Sequence, residues 1–509
     1  MFYPENEIIC WLSNIIALMK KLIRRIVLLA LLAMLLIMVI VVINTITFTS
    51  KQLDMAPVPL RGFPEEQMFE RLSKAIQYPT ISWPNAVDTV AFQGLDSLIK
   101  SEFVLIDSLL SLQYVNKFCR IYKWAGKNAK LSPILLTGHL DVVPIDESSI
   151  DRWEHPPFSG EIASGFIWGR GALDDKVSVF GMMEAIELLL KEQYIPERTI
   201  YLSFGHDEEI AGEKGAIEAA KYFEEQGIHF EFVLDEGTMI IEDALDGLEQ
   251  PVAIVGIAEK GYATLTLTAQ LKDAGHSSMP PEHTAVGVLG KAITHMEANP
   301  FPASLDGPLT TFFHYIGPEM NLPYKAVFAN LWLTEGLLIK QLSNKPSTNA
   351  NLRTTMAPTM LRAGFKDNVL PTKASAKVNF RIRPGESVAS TKNYVRETVD
   401  DEQLIVSISP NTLVFEPSSV SETEAFGFEV IQQTIHEIFP EAVVAPGLMI
   451  ARTDGQQYHK VSKNIYRFLP VQLTNEDLKR LHGINERVDK NAYLRLVHFY
   501  YRLIENSCK

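Results

Sequence analysis

The chain has 509 residues, 47% hydrophobic and 21% charged, which is enough apolar material for more than one buried core. Lys and Arg total 47 against 61 Asp and Glu, and a net charge of -14 argues against a nucleic-acid partner, because phosphate binding needs a concentrated basic face. Three cysteines, Cys10, Cys119 and Cys508, are too few and too scattered for a disulfide framework or a thiolate zinc site, so any metal must be held by nitrogen and oxygen.

In chain order, residues 1–25 end in the basic cluster Lys20, Lys21, Arg24 and Arg25. From Ile26 to Ile43 the run "IVLLALLAMLLIMVIVVI" has no charged or polar side chain, and milder residues extend it to Phe48. At ~1.5 Å per residue such a helix crosses a hydrocarbon layer of ~30 Å. Residues 26–48 are therefore expected to be a transmembrane anchor. The preceding cations keep residues 1–25 in the cytoplasm and put the rest on the far side, whether periplasmic, lumenal or extracellular. A cleaved leader is the competing reading, but the run is longer than a usual leader core and no small-x-small pattern follows it. Residues 49–63 are proline-rich and read as an extended linker.

From Pro64, the residues Met68, Leu72 and Ile76 recur at helical spacing, and a second helical pattern runs from Phe92 to Leu110. Short apolar runs then alternate with amphipathic helices. "ILLT" (134–137), "IYLSF" (200–204), "FVLD" (232–235) and "VAIVGI" (252–257) suit a mostly parallel sheet buried on both faces, with helices over 175–191 and 214–226 between them. Residues 64–257 thus read as the first part of an α/β domain. Near residue 258 the texture changes to surface-type alternation: "GYATLTLTAQL", a helix from Thr284, "KASAKVNFRIR", a helix in "SVASTKNYVRETV", and "QLIVSIS". Residues 258–411 are expected to form an inserted α+β domain, and 412–509 to complete the first domain with a final helix carrying Leu494, Val497 and Tyr501 on one side.

Ligands in open α/β sheets gather at the carboxyl ends of strands, and polar residues collect there. His139 and Asp141 follow the first run. Asp174 and Asp175 sit in "GRGALDDK", Glu208 and Glu209 follow "IYLSFGHD", Asp235 and Glu236 follow "FVL", and His482 lies in "LHGINERV". His139 and Asp141 are two apart in extended chain, so they share a face while Leu140 turns away. Each pair alone has a plain explanation, such as a helix cap or a solvated turn. Together they imply cations, because buried carboxylates repel one another unless positive charge lies between them. Histidine and carboxylate without cysteine suit zinc, and less often manganese or cobalt.

"TGHLDVVP", "GRGALDDK", "HDEEIAG", "LDEG", "GHSSMPP" and "HGINERV", in that order, resemble the aminoacylase and carboxypeptidase S family of di-zinc metallopeptidases, the peptidase M20 type. "FVLDEG" and "GIAEKG" resemble its N-fatty-acyl-amino-acid synthase/hydrolase and carboxypeptidase S branch. The resemblance implies a zinc-exopeptidase α/β domain with a ferredoxin-like lid and dimerisation domain, and two zinc ions per chain. His139 and Asp235 would bind one ion, Glu209 and His482 the other, and Asp174 both. Asp141 would orient a ligand histidine and Glu208 would be the general base. His276 in "GHSSMPP" would stabilise the oxyanion, often in the site of a partner subunit of a homodimer. Arg381 in "NFRIRP" and Arg452 in "RTDG" resemble binders of a substrate's free carboxylate.

The expected activity is zinc-dependent hydrolysis of an amide next to a free carboxylate, in N-acyl amino acids, with condensation as the reverse direction. The alternatives are carboxypeptidase or dipeptidase action on short peptides, and a non-catalytic membrane-anchored binding protein on the same fold.

Overall fold

The computed structural model describes residues 5–84, 86–273 and 275–509. Its largest sheet has ten strands, built from the apolar runs that begin at residue 111. Ile200–Gly205, Ile134–His139, Val233–Asp235 and Ile465–Arg467 lie side by side and parallel, and Leu135, Leu136, Leu202 and Val233 are buried among them. Both flanks depart from parallel pairing. Cys119–Trp124 runs antiparallel to Ile200–Gly205, and Ser111–Val115 antiparallel to Cys119–Trp124. On the other flank Val252–Glu259 meets Ile465–Arg467 antiparallel, and Val443–Met449 lies parallel to Val252–Glu259. The sheet is therefore mixed, which corrects the expectation of a mostly parallel one. A short turn explains one flank: Asn116 and Lys117 adopt φ of 45° and 75°, a left-handed pair that folds the two strands into a hairpin.

Helices cover the sheet. Lys176–Lys191 packs against Lys490–Ser507 and Glu65–Ile76, and all three feed one hydrophobic core. The pattern over 92–110 divides into Thr89–Glu102 and Val104–Leu109, with the buried Phe103 at the joint.

After Val252–Glu259 the chain enters a second sheet of four antiparallel strands, ordered Thr355–Ala363, Lys373–Ile382, Gly261–Gln270, Leu404–Ile408. With helices Ala285–Ala298 and Val388–Val399 the chain order is β-α-β-β-α-β, the ferredoxin-like arrangement, over a core of its own. Three of these strands alternate visibly in the sequence, whereas Thr355–Ala363 is largely solvent-exposed and lacks that alternation.

A helical insert over 308–352 separates the first helix of this domain from its exposed strand. Pro308–Ile316, Leu322–Ala329, Leu331–Leu342 and Pro346–Leu352 were not foreseen. Phe313, Ile316, Phe328, Leu338 and Leu352 pack into the core of the first domain, not that of the second.

At the N-terminus one helix runs from Glu5 to Thr47, and its Cys10–Thr47 portion is long and apolar enough to cross a membrane. Its end touches the body. Asn44 Nδ2 donates to Asn330 Oδ1 (3.0 Å), and Phe48 lies against His314. The following segment lies along the body. Gln52 pairs with both backbone groups of Val444, at 2.8 and 2.9 Å; Val58 N donates to Glu437 O, and Phe63 stacks on His498.

Candidate active site

His139 is the last residue of its strand, and its preceding glycine is required by a close approach. A Cβ at Gly138 would meet Asp175 Oδ2 at 2.5 Å, the atom that accepts from His139 N at 3.2 Å. His139 Nδ1 lies 3.0 Å from the Asp141 carbonyl and 3.4 Å from its carboxylate, which leaves Nε2 facing Asp174 Oδ1 at 2.9 Å. Asp141 also accepts from Glu208 N and Glu209 N, each at 3.1 Å. One buried carboxylate thus orients the histidine and fixes the turn that carries both glutamates.

Asp174, not Asp175, faces the two histidines: its second oxygen lies 3.0 Å from His482 Nε2. Asp175 is turned toward Ser178 and the His139 amide. Glu209 Oε2 is 3.3 Å from His482 Nε2. On the other side Glu236 Oε1 is 3.7 Å from His139 Nε2. Two sets of potential ligand atoms result, His139–Asp174–Glu236 and Asp174–Glu209–His482, each within 4.8 Å and sharing Asp174.

Asp235, which the family resemblance would put on one ion with His139, is in neither set among the described residues. It is the last strand residue, and its carboxylate accepts from Gly455 N (2.5 Å) and Glu236 N (2.9 Å). Glu236, just past the end of the strand, is the one of the two whose carboxylate approaches His139 Nε2.

The remaining expected residues lie elsewhere. Arg452 donates to Glu208 O (3.0 Å) and Ala211 O (3.2 Å), approaches the Glu208 carboxylate at 3.6 Å, and covers the Phe415 ring; it braces Glu208 more than it offers a free fork. Arg381 lies over the Tyr262 ring, and among the described residues no carboxylate pairs with it. His276 is exposed and bonded to Ser278, with a backbone bridge to Val369. It follows the far end of Gly261–Gln270, about 30 Å along the strand from the domain junction at ~3.3 Å per residue.

Two residues of the site went unnoticed in the sequence. Glu486 accepts from Gly171 N and Leu173 N, each at 2.9 Å, and pairs with Arg170; it holds the loop that presents Asp174. Its position four after His482 in "HGINE" was the available signal. Asp454, in the "RTDG" loop, is buried against Gly205 with neither carboxylate oxygen partnered among the described residues. A carboxylate next to an arginine in a glycine turn reads as solvated, so sequence gave no warning.

The electrostatics call for added positive charge. Burial pushes Glu208, Glu209 and Glu236 above the usual carboxylate range, and Asp174 and Asp175 raise Glu236 further. Burial also works to raise Asp174, but hydrogen bonds from His139 and His482 outweigh it and hold Asp174 low. Hydrogen bonds to Asp174 and Glu209 push His482 up to about 10. Glu209 Oε1 is buried without a partner among the described residues. A mixed set of nitrogen and oxygen donors with one shared carboxylate fits two divalent ions, with His139 and Glu236 on one, Glu209 and His482 on the other, and Asp174 on both.

A cavity of about 300 Å³ lies between the helical insert and the large sheet. Leu309, Phe312, Phe313 and Leu342 of the helical insert face Ile254 and Leu448 of the sheet across it, and Thr238, two residues after Glu236, lines it as well. Its walls are mostly apolar.

An α/β sheet on whose strand ends and adjoining loops two histidines and a set of carboxylates converge has the donor set of a metallohydrolase. The sequence profile of Peptidase family M20/M25/M40 matches residues 135–506, and the chain belongs to that family. It is an enzyme of the metallopeptidase and amidohydrolase type, which sets aside the reading as a non-catalytic binding protein. The chain is 41% identical to a protein of Dictyostelium discoideum named probable carboxypeptidase S-like 2, over 92% of this chain and 91% of that one. It is 40% identical to the N-fatty-acyl-amino acid synthase/hydrolase PM20D1 of Xenopus tropicalis, over 87% and 86%. The crystal structure of the M20 family metallo-carboxypeptidase Sso-CP2 from Sulfolobus solfataricus shares the fold, with a TM-score of 0.61 at 15% identity, over 86% of this chain and 99% of that one.

Proposed function

We propose that this chain hydrolyses the amide bond of N-acyl amino acids, in a centre holding two zinc ions, with Glu208 as general base. The observation that carries the proposal is the pair of ligand sets sharing Asp174. The ions would supply Lewis acidity, lowering the pKa of a water and polarising the amide carbonyl. The chain's own groups do the rest. Glu208, raised by burial and braced by Arg452, accepts the proton of the attacking water and passes it to the departing amine. Asp141 keeps His139 and the Glu208–Glu209 turn in register. Arg381, free of a carboxylate partner among the described residues, suits the substrate's carboxylate. His276 stands too far along the inserted domain to serve its own centre in this arrangement, so its role at the oxyanion calls for a second copy of the chain or a closing movement.

The apolar cavity two residues from Glu236 supports a long acyl group. A second reading, carboxypeptidase action on short peptides, is favoured by the 41% identity to a carboxypeptidase S-like relative. We place the enzyme on a membrane through the N-terminal helix, because every side chain from 26 to 40 is exposed along an apolar face that lipid would cover.

Purified full chain supplied with zinc should release free amino acid from long-chain N-acyl substrates faster than from dipeptides. Glu208→Gln should lower kcat by about 10²- to 10⁴-fold with bound metal unchanged. Activity that survives both chelation and this substitution would remove the mechanism.

A further inference from the structure

We propose that the helical insert over 308–352 rests on the bilayer surface and admits long-chain substrate to the apolar cavity directly from lipid. This rests on the reading of the N-terminal helix as a membrane anchor and of the substrate as a fatty-acyl amino acid.

The insert has two apolar sides. Its inner side, through Phe313, Ile316, Phe328 and Leu338, is part of the main core. Its outer side leaves Leu322 71%, Trp332 56%, Leu333 53% and Leu337 67% exposed. Leu333 and Leu337 are one helical turn apart and share a face. A soluble surface scatters such residues singly, whereas these are gathered on one short stretch.

The N-terminal helix indicates what covers them. Asn330, buried between the two, donates to Val41 O at 3.3 Å and accepts from Asn44 Nδ2 at 3.0 Å. Trp332 Nε1 donates to the same Asn330 Oδ1 at 3.3 Å. The indole is thus one side chain away from the point where the apolar run stops at Ile43, the level at which a spanning helix leaves the hydrocarbon. Tryptophan favours that level, with its ring in lipid and its N–H satisfied. The outer face is therefore continuous with the surface that the spanning helix already presents to lipid.

The same insert walls the cavity through Leu309, Phe312 and Leu342. A long-chain acyl amino acid is held in a bilayer by every methylene it buries there, so transfer through water is the costly route to an apolar cavity. An entrance resting on lipid removes the aqueous step.

The test uses full chain in phosphatidylcholine vesicles whose acyl chains are brominated near the headgroup. Bromine should quench a fraction of the tryptophan fluorescence that is lost in Trp332→Phe; equal quenching of the two proteins overturns the docking. In a second arm, Leu333→Glu with Leu337→Glu should raise KM about tenfold for an 18-carbon N-acyl amino acid delivered in vesicles and leave kcat/KM for an N-acetyl amino acid unchanged. Unchanged KM for the long substrate, or equal loss on both, overturns the loading route. If wild type hydrolyses neither substrate, the reading of the reaction fails, and the quenching comparison still decides the docking.

Discussion

Glu208 and Glu209 are neighbours in the chain whose carboxylates have different company, one braced by Arg452 and the other facing His482. The division follows from the short helical turn Glu208–Ile210, whose two leading amides are both anchored on Asp141. Asp235 and Glu236 are divided similarly, the first accepting from Gly455 N and the second facing His139. Glu236→Ala should therefore reduce bound zinc by about one ion per chain, measured on the purified protein, whereas Asp235→Asn should keep both ions and instead loosen the loop at Gly455. Retention of two ions by Glu236→Ala would return the ligand role to Asp235. The residues legible in sequence were those whose neighbours in the chain also serve the site, such as His139 with Asp141 and Glu208 with Glu209. Asp235 and Glu236 are not told apart by sequence, because the last residue of a strand looks the same as the first residue beyond it. Glu486 and Asp454 were missed because their partners, Gly171 and Gly205, are remote in sequence.

Among the elements, helix Lys490–Ser507 carries a group suited to a measurement of pH dependence. His498 stacks on Phe63, and burial, then the charge of Arg61, pushes it down to about 4. An unfolded histidine titrates near ~6.5. The unfolded state therefore binds the proton first, so the stability from neutral His498 is complete above ~6.5 and is lost as pH falls toward about 4. Tm should decline over that window, and His498→Phe should flatten the decline; an unaltered slope would assign it to other groups. Helix Phe426–Ile438 gives a packing test. A Cβ on Gly427 would come within 2.7 Å of Phe232 Cβ and 2.6 Å of Tyr466 Cε2, both rigidly held. Gly427→Ala should cost about 1–3 kcal/mol, read as a lower unfolding midpoint in denaturant. Runs with clear period were legible as elements, whereas the helices of 308–352 were not. Their apolar residues point both into the core and outward, so the stripe that marks an amphipathic helix is absent.

For the whole molecule, the extended segment after the N-terminal helix lies bound along the body. Gln52 supplies a donor and an acceptor to Val444, on the outer edge of the sheet, in place of a further strand. Gln52→Ala leaves both backbone groups of the buried Val444 unpaired and should lower stability by about 1–3 kcal/mol. Wild-type Tm in that variant would mean that water replaces the side chain. The two-domain outline was legible because the texture of the strands changes at the junction, but the mixed pairing of the large sheet was not, since strand direction leaves no mark on composition.

The candidate centre is also divided along the chain, with His139 and His482 on either side of the whole inserted domain. The four-stranded sheet has a core of its own drawn from residues 263–395, so that core is complete in sequence before the second half of the first domain is made. The catalytic half must wait. A ribosome has to deliver nearly the entire polypeptide before "HGINE" can return to the loop at Gly171, so a product truncated late in translation would carry the core of the four-stranded sheet but an inert, unclosed centre.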